Sequence, residues 1–355
     1  MVSRLAEKLG FNGFGRGRPR QVVGVDIGTT SLKVCLIDKA KEGGLALSGL
    51  GCRFYDHELL HDGNVIDRLF VANEIRHILG SSAIKTKWAA SALSSYSVIT
   101  KRMSMPLLDE EALENAVRLE VESIIPFPLN EIYYSYSVMG PDEEKEKMIS
   151  LLIVAAKKEI VDDYVETFEA AGLSLSVLDV DILAVTNLIE EIYEPTGDSI
   201  LAADIGASVT SMAVVKGPNL EFTREIRIGG NYVTRELAKS QNLTYKEAEE
   251  KKLMAEDGAV ALLQDFVSNV AAEIHKTVNF YAATKPRATV GRIYLTGGSS
   301  AAPGIRESIE KATGIKVEFL NPFLCLPEGQ GTDEKLAPFM PVALYLAKRG
   351  SEGTL

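Results

Sequence analysis

The 355-residue sequence lacks several features that mark secreted, membrane-spanning or nucleic-acid-binding proteins. Three scattered cysteines are too few for a disulfide framework, which favours a reducing, cytoplasmic setting. No stretch approaches the roughly 18 consecutive apolar residues of a membrane span, and the N-terminal residues lack the apolar core of a secretory signal. The net charge of -11 argues against a nucleic-acid partner, which would select a basic surface.

Basic residues are nevertheless concentrated at the N-terminus. Residues 1–20 contain five of them, and Glu7 is the single acid in this segment. We expect a flexible, solvated basic tail. The alternative is a weak contact with anionic lipid, because each basic residue near such a surface contributes about 1 kcal/mol.

The chain as a whole has an ordinary globular composition, with 46% hydrophobic and 25% charged residues, and it is long enough for two domains. Strand patterns alternate with amphipathic helix patterns, which predicts an α/β fold. The strands are predicted over 22–27, 31–37, 88–94, 98–104, 131–138, 148–156, 175–180 and 292–296. The helices are predicted over 65–80, 110–125, 159–171, 182–193 and 259–283, with further helices starting at Thr244 and near Pro303.

One hairpin occurs twice in the sequence. Residues 22–38 read VVGVDIGTTSLKVCLID, and residues 200–216 read ILAADIGASVTSMAVVK. Aligning Asp26 with Asp204 also superimposes the glycines two residues later, and the offset stays constant through both strands. Two copies of one hairpin imply two similar α/β domains that face each other across a cleft.

Both turns have the chemistry of a phosphate site. Glycine lets the backbone approach an anion closely, and the N–H groups of such a turn can point at it. The hydroxyls of Thr29, Thr30 and Ser208 add hydrogen-bond donors. Asp26 and Asp204 can hold a hydrated magnesium ion, which prefers carboxylates and water.

The arrangement resembles the actin-like ATPase superfamily over roughly residues 22–348. Beyond the turns, the resemblance includes the strand that runs into Gly297-Gly298 and the stretch Ala248–Lys252, which matches the family's Ala-Glu-x-x-Lys helix. It implies two duplicated RNase H-like domains around a nucleotide cleft, with ATP and Mg²⁺ as cofactors. By position, it implies nucleotide contacts from Asp26, Gly28, Thr29, Thr30, Lys33, Asp204, Gly206, Ala207, Ser208, Gly229, Gly230, Asn231, Glu249, Lys252, Gly297, Gly298 and Ser299.

The resemblance also implies roles for three charged residues. Lys33 would reach a phosphate, Asp181 would orient the attacking water, and Asp204 is a weaker catalytic candidate. The plainer alternatives are a solvated strand residue for Lys33, a helix cap for Asp181 and a structural turn residue for Asp204. The second turn reads Asp-Ile-Gly-Ala-Ser, where active hydrolases often have a Gly- or Thr-rich loop, so we expect hydrolysis to be slow or absent.

An insert at 96–158 lies where FtsA carries its own inserted subdomain. The segment RLEVESIIPFPLNEIYYSY at 118–136 resembles the PilM family of pilus assembly proteins, so the insert is expected to be a small FtsA/PilM-type α/β subdomain. The domains are then expected at 21–95, 159–198 and 336–350 for the first actin-like domain and at 199–335 for the second, with a helical subdomain at about 236–285.

The centre of the PilM-like segment suits the docking of a peptide. Pro126 and Pro128 hold the chain extended, and Ile125, Phe127 and Leu129 supply apolar groups. The alternative is that Phe127 and Leu129 pack the core of the insert itself. In the PilM family the partner is the short cytoplasmic N-terminal peptide of PilN, which implies further links to PilO, the inner-membrane platform and the assembly motor ATPase.

The resemblance therefore favours a cytoplasmic ATP-binding scaffold of the type IV pilus platform, held peripherally at the inner membrane by its partners. One alternative is an FtsA-like polymerising filament protein, which would self-associate in the presence of ATP. Another is a small-molecule, sugar-type kinase, whose ATP turnover would be stimulated by its substrate.

A different motif, His57-Glu-Leu-Leu-His61, matches the zinc-protease pattern H-E-x-x-H. That pattern requires a helix that aims both imidazoles at one ion. The residues Asp62-Gly63-Asn64 interrupt the chain directly afterwards, so we expect an exposed turn without zinc.

Overall fold

The computed structural model describes residues 21–39, 44–142, 145–194, 197–285, 288–327 and 333–352, and the basic tail at 1–20 lies outside these ranges. The strands are β1 (Val22–Ile27), β2 (Ser31–Lys39), β3 (Leu45–Phe54), β4 (Leu60–His61), β5 (Asn64–Val65), β6 (Trp88–Leu93), β7 (Val98–Pro106), β8 (Ile132–Pro141), β9 (Met148–Lys157), β10 (Ser174–Val180), β11 (Ser199–Ile205), β12 (Thr210–Lys216), β13 (Asn219–Ile226), β14 (Val290–Thr296) and β15 (Lys316–Phe319). The α-helices are α1 (Arg68–Ser81), α2 (Glu110–Ile124), α3 (Lys158–Ala170), α4 (Asp181–Ile192), α5 (Asn231–Gln241), α6 (Tyr245–Leu253), α7 (Ala259–Thr284), α8 (Ile305–Thr313) and α9 (Pro341–Glu352).

The duplicated hairpins belong to two five-stranded sheets of the same design. The first sheet has the order β10-β6-β1-β2-β3, and the second has the order β15-β14-β11-β12-β13. In both sheets the hairpin is antiparallel, and its first strand pairs in parallel with β6 or β14. Asp26 is paired with Lys33 in the first hairpin, and Asp204 with Ser211 at the equivalent place in the second. The duplication predicted from the sequence is confirmed.

Helices α4 and α9 build a core that both sheets share. Their small side chains permit close packing, and Ala184 of α4 and Ala343 of α9 are fully buried. The same cluster includes Ala90 from the first sheet and Ala202 from the second. Gly24 on β1 lies so near α9 that a Cβ atom would overlap the Ala343 carbonyl oxygen. This contact fixes the position of β1, and therefore of the turn at its end.

The insert forms a separate three-stranded sheet of order β7-β9-β8, and α2 packs against it. Asp109 caps α2 by accepting the Ala112 N–H at 2.9 Å, as the sequence predicts. Buried Val117 of α2 packs with Ile153 of β9 in a core that belongs to the insert. The insert is thus a subdomain with its own apolar interior.

One predicted helix boundary was wrong, and several strands and one helix were not predicted. Helix α1 begins at Arg68, later than predicted, because β4 and β5 pair with each other and Asp67 caps the helix instead. Strands β3, β13 and β15 and helix α5 were not predicted. Strand β13 escaped notice because its sequence, NLEFTREI, is half charged or polar and its residues are mostly only partly buried.

The close approach of β1 to α9 can be tested with Gly24→Ala. The new methyl group would collide with helix backbone, so the free energy of unfolding should fall by about 3 kcal/mol in urea denaturation. Gly80→Ala is the matched control, because no atom lies within 4 Å of its Cβ position. Alanine at that helical site should stabilise the protein by about 0.5–1 kcal/mol. Equal effects of the two substitutions would contradict the packing argument.

Candidate functional site

A cavity of about 830 Å³ lies where the two duplicated turns face each other, and this volume is typical of a cofactor site. Asp181 lines it, at the start of α4. The predicted nucleotide contacts that line it are Asp26, Gly28, Thr29, Thr30, Lys33, Asp204, Gly206, Ala207, Gly230, Asn231, Glu249, Lys252, Gly297, Gly298 and Ser299.

The two turns have the same backbone hydrogen bond. The Gly28 N–H donates to the Ser31 carbonyl oxygen at 2.9 Å, and the Gly206 N–H donates to the Val209 carbonyl oxygen at 2.9 Å. Each aspartate therefore precedes a tight loop of identical closure. The structure brings the two loops to one cavity, as the aligned sequences predict.

Two further loops support the second turn. The Gly206 carbonyl oxygen accepts from the Gly230 N–H at 3.1 Å and from the Ser299 hydroxyl at 2.8 Å. Gly297 has a φ of 84° and lies against Asp204 so closely that a Cβ atom would overlap the carboxylate. At this point the absence of a Cβ atom lets the Gly297 backbone pack directly against Asp204 and Ile205.

Two predicted contacts lie outside the cavity lining. Gly229 is packed against the backbone of Ala207, where a Cβ atom would overlap the carbonyl group. The Ser208 hydroxyl accepts instead from the Asn231 side-chain amide, at 3.5 Å. Both residues therefore shape the second turn rather than face the cavity.

Helix α6 places a charged pair at the cavity. Thr244 and Glu247 form the predicted capping box that starts this helix. Lys252 donates to Glu249 at 2.7 Å and to the Thr234 hydroxyl at 3.0 Å, so both charged side chains lie on one helix face, as their spacing predicts. A carboxylate held in this way suits hydroxyl donors such as those of a ribose.

Lys33 is not the solvated strand residue of the plainer alternative. Its side chain is 9% exposed and forms an ion pair with Asp26 at 2.9 Å. Burial lowers the pKa of Lys33, but the Asp26 carboxylate outweighs burial and leaves the pKa above its ordinary value. A permanently charged ammonium group therefore stands beside the first turn, where a phosphate would meet it.

Two aspartates share this region with Asp26. Burial raises the pKa of Asp181 to about 6, although its carboxylate accepts the Ser95 N–H at 2.9 Å. Burial, together with repulsion from Asp181 and Asp26, raises the pKa of Asp204 to about 7. Asp181 also accepts from the Ile182 N–H, but it is the first residue of α4 and the helix has no side-chain cap hydrogen bond, so Asp181 faces the cavity without acting as the helix cap.

This arrangement of acids fits a divalent cation. Buried carboxylates that repel one another are stabilised by an added positive charge, and Mg²⁺ is bound through one or two carboxylates, waters and substrate phosphates. Within the described ranges, no three His, Cys, Asp or Glu side chains gather as a complete metal site. Asp26 and Asp204 therefore fit a magnesium ion that a phosphate ligand would complete.

The sequence did not reveal several residues around the site. Phe54 and Phe339 line the cavity and contact each other edge to face, with 5.0 Å between ring centroids. Tyr245 also lines it and donates to the Asn231 side-chain oxygen at 2.7 Å. Glu225, whose pKa is raised to about 7 by burial and by Asp181, lies on the unpredicted strand β13. None of these residues belongs to a motif, so only the fold assembles them.

A second cavity, of about 400 Å³, separates the insert from the first half. Ile125 and Phe127 line it from the PilM-like segment, and Ile160 of α3 lines it from the opposite side. Pro126 and Pro128 are exposed and do not line it. Residues that face it from the β4–β5 turn and the segment after β6 are Asp62, Asn64, Tyr96 and Ser97.

The alternative that Phe127 and Leu129 pack the core of the insert is correct in part. Phe127 and Leu129 both contact the core of the insert, and each is half-buried. Phe127 also reaches the second cavity, whereas Leu129 does not. The Asn64 side-chain oxygen is buried there without a hydrogen-bond partner. An unpaired acceptor beside an apolar wall suits an N–H donor from a ligand.

Two further possibilities are a zinc site at the H-E-x-x-H pattern and a helix that could span a membrane. His57 and His61 are exposed and lie outside any helix, so they do not form the zinc arrangement of H-E-x-x-H. Among the helices of the described ranges, none is both long and apolar enough to cross a bilayer.

Asp204→Asn tests the repulsion among the buried carboxylates of the cavity in the absence of ligand. Asp204 keeps its proton in the folded protein up to about pH 7, whereas an unfolded aspartate releases it near pH 4. Stability is therefore lost as pH rises through 7. The asparagine cannot ionise. The Tm of the variant minus the Tm of the wild type should therefore be larger at pH 8.5 than at pH 5.5, by about 2 °C or more, when both are measured in EDTA without nucleotide.

The control for this measurement is Asp265→Asn, which alters an exposed aspartate on α7. Its Tm difference from wild type should not change with pH. If Asp204→Asn gave the same flat profile, the repulsion among the cavity acids would be refuted.

Comparisons with known proteins agree with this architecture. A solved structure described as a PilM–PilN type IV pilus biogenesis complex is similar with a TM-score of 0.84 and 26% identity, covering 94% of this chain and 99% of the other. MreB 5 of Spiroplasma citri bound to AMPPNP shares the fold, with a TM-score of 0.51, 13% identity and coverage of 95% and 99%. The cell division protein FtsA of Streptococcus pneumoniae serotype 2 (strain D39 / NCTC 7466) is 22% identical over 84% of this chain and 75% of its own.

The fold is thus the actin-like ATPase fold that the sequence predicts. The model of one protein family, described as type IV pilus assembly protein PilM, matches residues 24–348, which is almost the whole described chain. The protein belongs to the PilM family of type IV pilus assembly proteins.

Proposed function

We propose that this protein binds Mg²⁺ and ATP in the large cavity and the N-terminal peptide of PilN in the smaller one. The observation that carries the proposal is the presence of two separate cavities, one between the duplicated turns and one beside the PilM-like segment. The similar structure of a PilM–PilN complex supports the choice of partner. The peptide would hold the protein at the inner membrane as a scaffold of the pilus platform.

The residues of the large cavity have distinct tasks in this proposal. Lys33 and the donors of both turns bind phosphate oxygens, and Glu249 accepts from ribose hydroxyls. Asp26 and Asp204 hold Mg²⁺, which when bound supplies positive charge to the phosphates. Because the nucleotide contacts both halves, it favours their closed arrangement by its differential affinity for that state.

Hydrolysis is proposed to be slow. Asp181 is positioned by the Ser95 N–H to orient a water molecule. The second turn, however, offers Ala207 where the first turn has Thr29, and Ser208 does not line the cavity, so this turn presents no hydroxyl donor to the phosphate. The nucleotide then serves mainly to hold the two halves together.

Glu249→Gln tests the nucleotide site. The amide keeps the shape of the side chain but loses the charge that strengthens its hydrogen bonds, so ATP affinity should fall about tenfold or more in calorimetric titration with Mg²⁺. Glu250→Gln makes the same change on the adjacent, exposed position of α6 and should leave the affinity unchanged. ATP binding that is insensitive to Glu249→Gln would remove α6 from the proposed site.

The smaller cavity suits an extended peptide with apolar side chains. Its wall contains Ile125, Phe127 and Ile160, and the Lys157 ammonium group lies 4.7 Å from the centroid of the Phe127 ring. The unpaired oxygen of Asn64 could accept a backbone N–H of the bound peptide. In such sites apolar pockets provide most of the affinity, and a few fixed polar groups determine the register in which the peptide binds.

Phe127→Ala tests the peptide site. Truncating an aromatic wall residue should weaken the binding of a synthetic PilN N-terminal peptide about tenfold or more, measured by calorimetry. Leu129→Ala is the matched control, since Leu129 packs on the same core but does not line the cavity. Equal losses from both variants would indicate damage to the insert, and unchanged binding in Phe127→Ala would place the peptide elsewhere.

A further inference from the structure

One segment of the second half lines the large cavity at its end and contacts residues that line the smaller cavity. It consists of strand β13 and the loop that leads from it to α5, residues 219–231. At its start, Glu221 accepts from Arg102 of the insert at 2.6 Å. At its end, the Asn231 N–H donates to the Ala207 carbonyl oxygen of the second turn at 2.7 Å. A continuous stretch of backbone therefore joins the insert to the nucleotide cavity.

Arg227 lies in the middle of this segment and reaches across to the first half. Its Nε donates to the Tyr96 hydroxyl, and its guanidinium carbon lies 4.7 Å from the centroid of the Tyr96 ring. Its Nη2 donates to Asp62 at 2.9 Å. Tyr96 and Asp62 both line the smaller cavity. We call this set of three side chains the Arg227 clamp.

The backbone around Tyr96 and Asp62, the two residues that Arg227 contacts, is itself held in place. Asp62 and Gly63 both have positive φ, of 47° and 86°, as in the tight turn that joins two hairpin strands. The Gly63 backbone is packed against Ser97, the residue after Tyr96. The turn and the Tyr96 segment therefore form one wall of the cavity, and Arg227 holds that wall from the second half of the molecule.

The clamp is also linked to the second turn within a few residues. The Ile228 carbonyl oxygen accepts from the Thr210 hydroxyl at 2.7 Å, directly after Arg227. Gly229 follows, against Ala207, and Gly230 donates to Gly206. Hydrogen bonds therefore connect the second turn to the residues directly after Arg227.

We propose that Arg227 couples the two cavities, so that Mg²⁺–ATP binding strengthens peptide binding by holding Tyr96 and Asp62 in place. The inference rests on the proposed function, since it requires both ligands. The clamp is suited to opening and closing, because Arg227 and Asp62 are 62% and 50% exposed and an exposed ion pair contributes little to stability. It therefore controls the position of the wall without being needed for folding.

The test is a pair of calorimetric titrations with the PilN N-terminal peptide, without nucleotide and with saturating Mg²⁺–AMP-PNP. In the wild-type protein the nucleotide should tighten peptide binding by about fivefold or more, and the peptide should tighten nucleotide binding by the same factor. The coupling factor is the ratio of the peptide affinities with and without nucleotide. In Arg227→Ala this factor should fall to about one, while the affinity for each ligand alone changes little. Asp62→Asn should lower it in the same direction.

Arg224→Ala is the matched control. Arg224 lies on β13, three residues before Arg227, but its guanidinium contacts Glu273 and Thr277 within the second half. Its loss should leave the coupling factor at the wild-type value. The inference is overturned if both ligands bind the wild-type protein independently, or if Arg227→Ala retains the coupling. Absence of peptide binding in the wild-type protein would instead refute the proposed function, and the inference with it.

Discussion

The structure depends on an unequal charge balance between two equivalent turns. In the first hairpin the residue opposite Asp26 is Lys33, and the two form a buried ion pair. In the second hairpin the residue opposite Asp204 is the uncharged Ser211. Asp204 therefore lies among other carboxylates without an ammonium group at the equivalent place, and its pKa is raised to about 7. Such a perturbed buried carboxylate is typical of a functional site, and it supports the proposal of a ligand that brings a cation.

That charge balance is possible only because the turns are held by a close-packed frame. Helices α4 and α9 fill the space between the sheets with buried apolar side chains, and Gly24 lets β1 touch the backbone of α9. The ends of β1 and β11 are then fixed relative to each other, and so are Asp26 and Asp204. Ser211, which replaces the lysine, contributes to the same junction, because its hydroxyl accepts from Ser95 of the first half at 2.7 Å.

The sequence predicted those parts of the site that are carried by short motifs. The Asp-Ile-Gly turns, Gly297-Gly298 and the α6 charges were recognisable because glycine and charge are conspicuous at fixed spacings, and the apolar strands before each turn are long enough to read. Strand β13 carries no such signal, since it is rich in charged and polar residues and all of its residues except Leu220 are only partly buried. Phe54, Phe339 and Glu225 come from separate elements, and their positions follow from sheet order and packing. The PilM-like segment predicted a peptide site at Phe127, but the other walls of the cavity there could not be predicted, because the cavity is the gap between two subdomains.

The same limitation applies to the proposed coupling between the two cavities. Motifs reveal groups that line a cavity, whereas the proposed coupling depends on a segment that lines the large cavity and reaches the smaller one through Arg227. Strand β13 is the edge of its sheet, so one of its sides is free to contact other parts of the molecule. The strand contacts the insert through Glu221, and the loop after it contacts the wall of the smaller cavity through Arg227 and the second turn through Asn231. The duplicated domains enclose a cleft with two similar halves. The insertion in one half then placed a second cavity beside the edge strand of the other, and this brought both sites within reach of one segment of backbone.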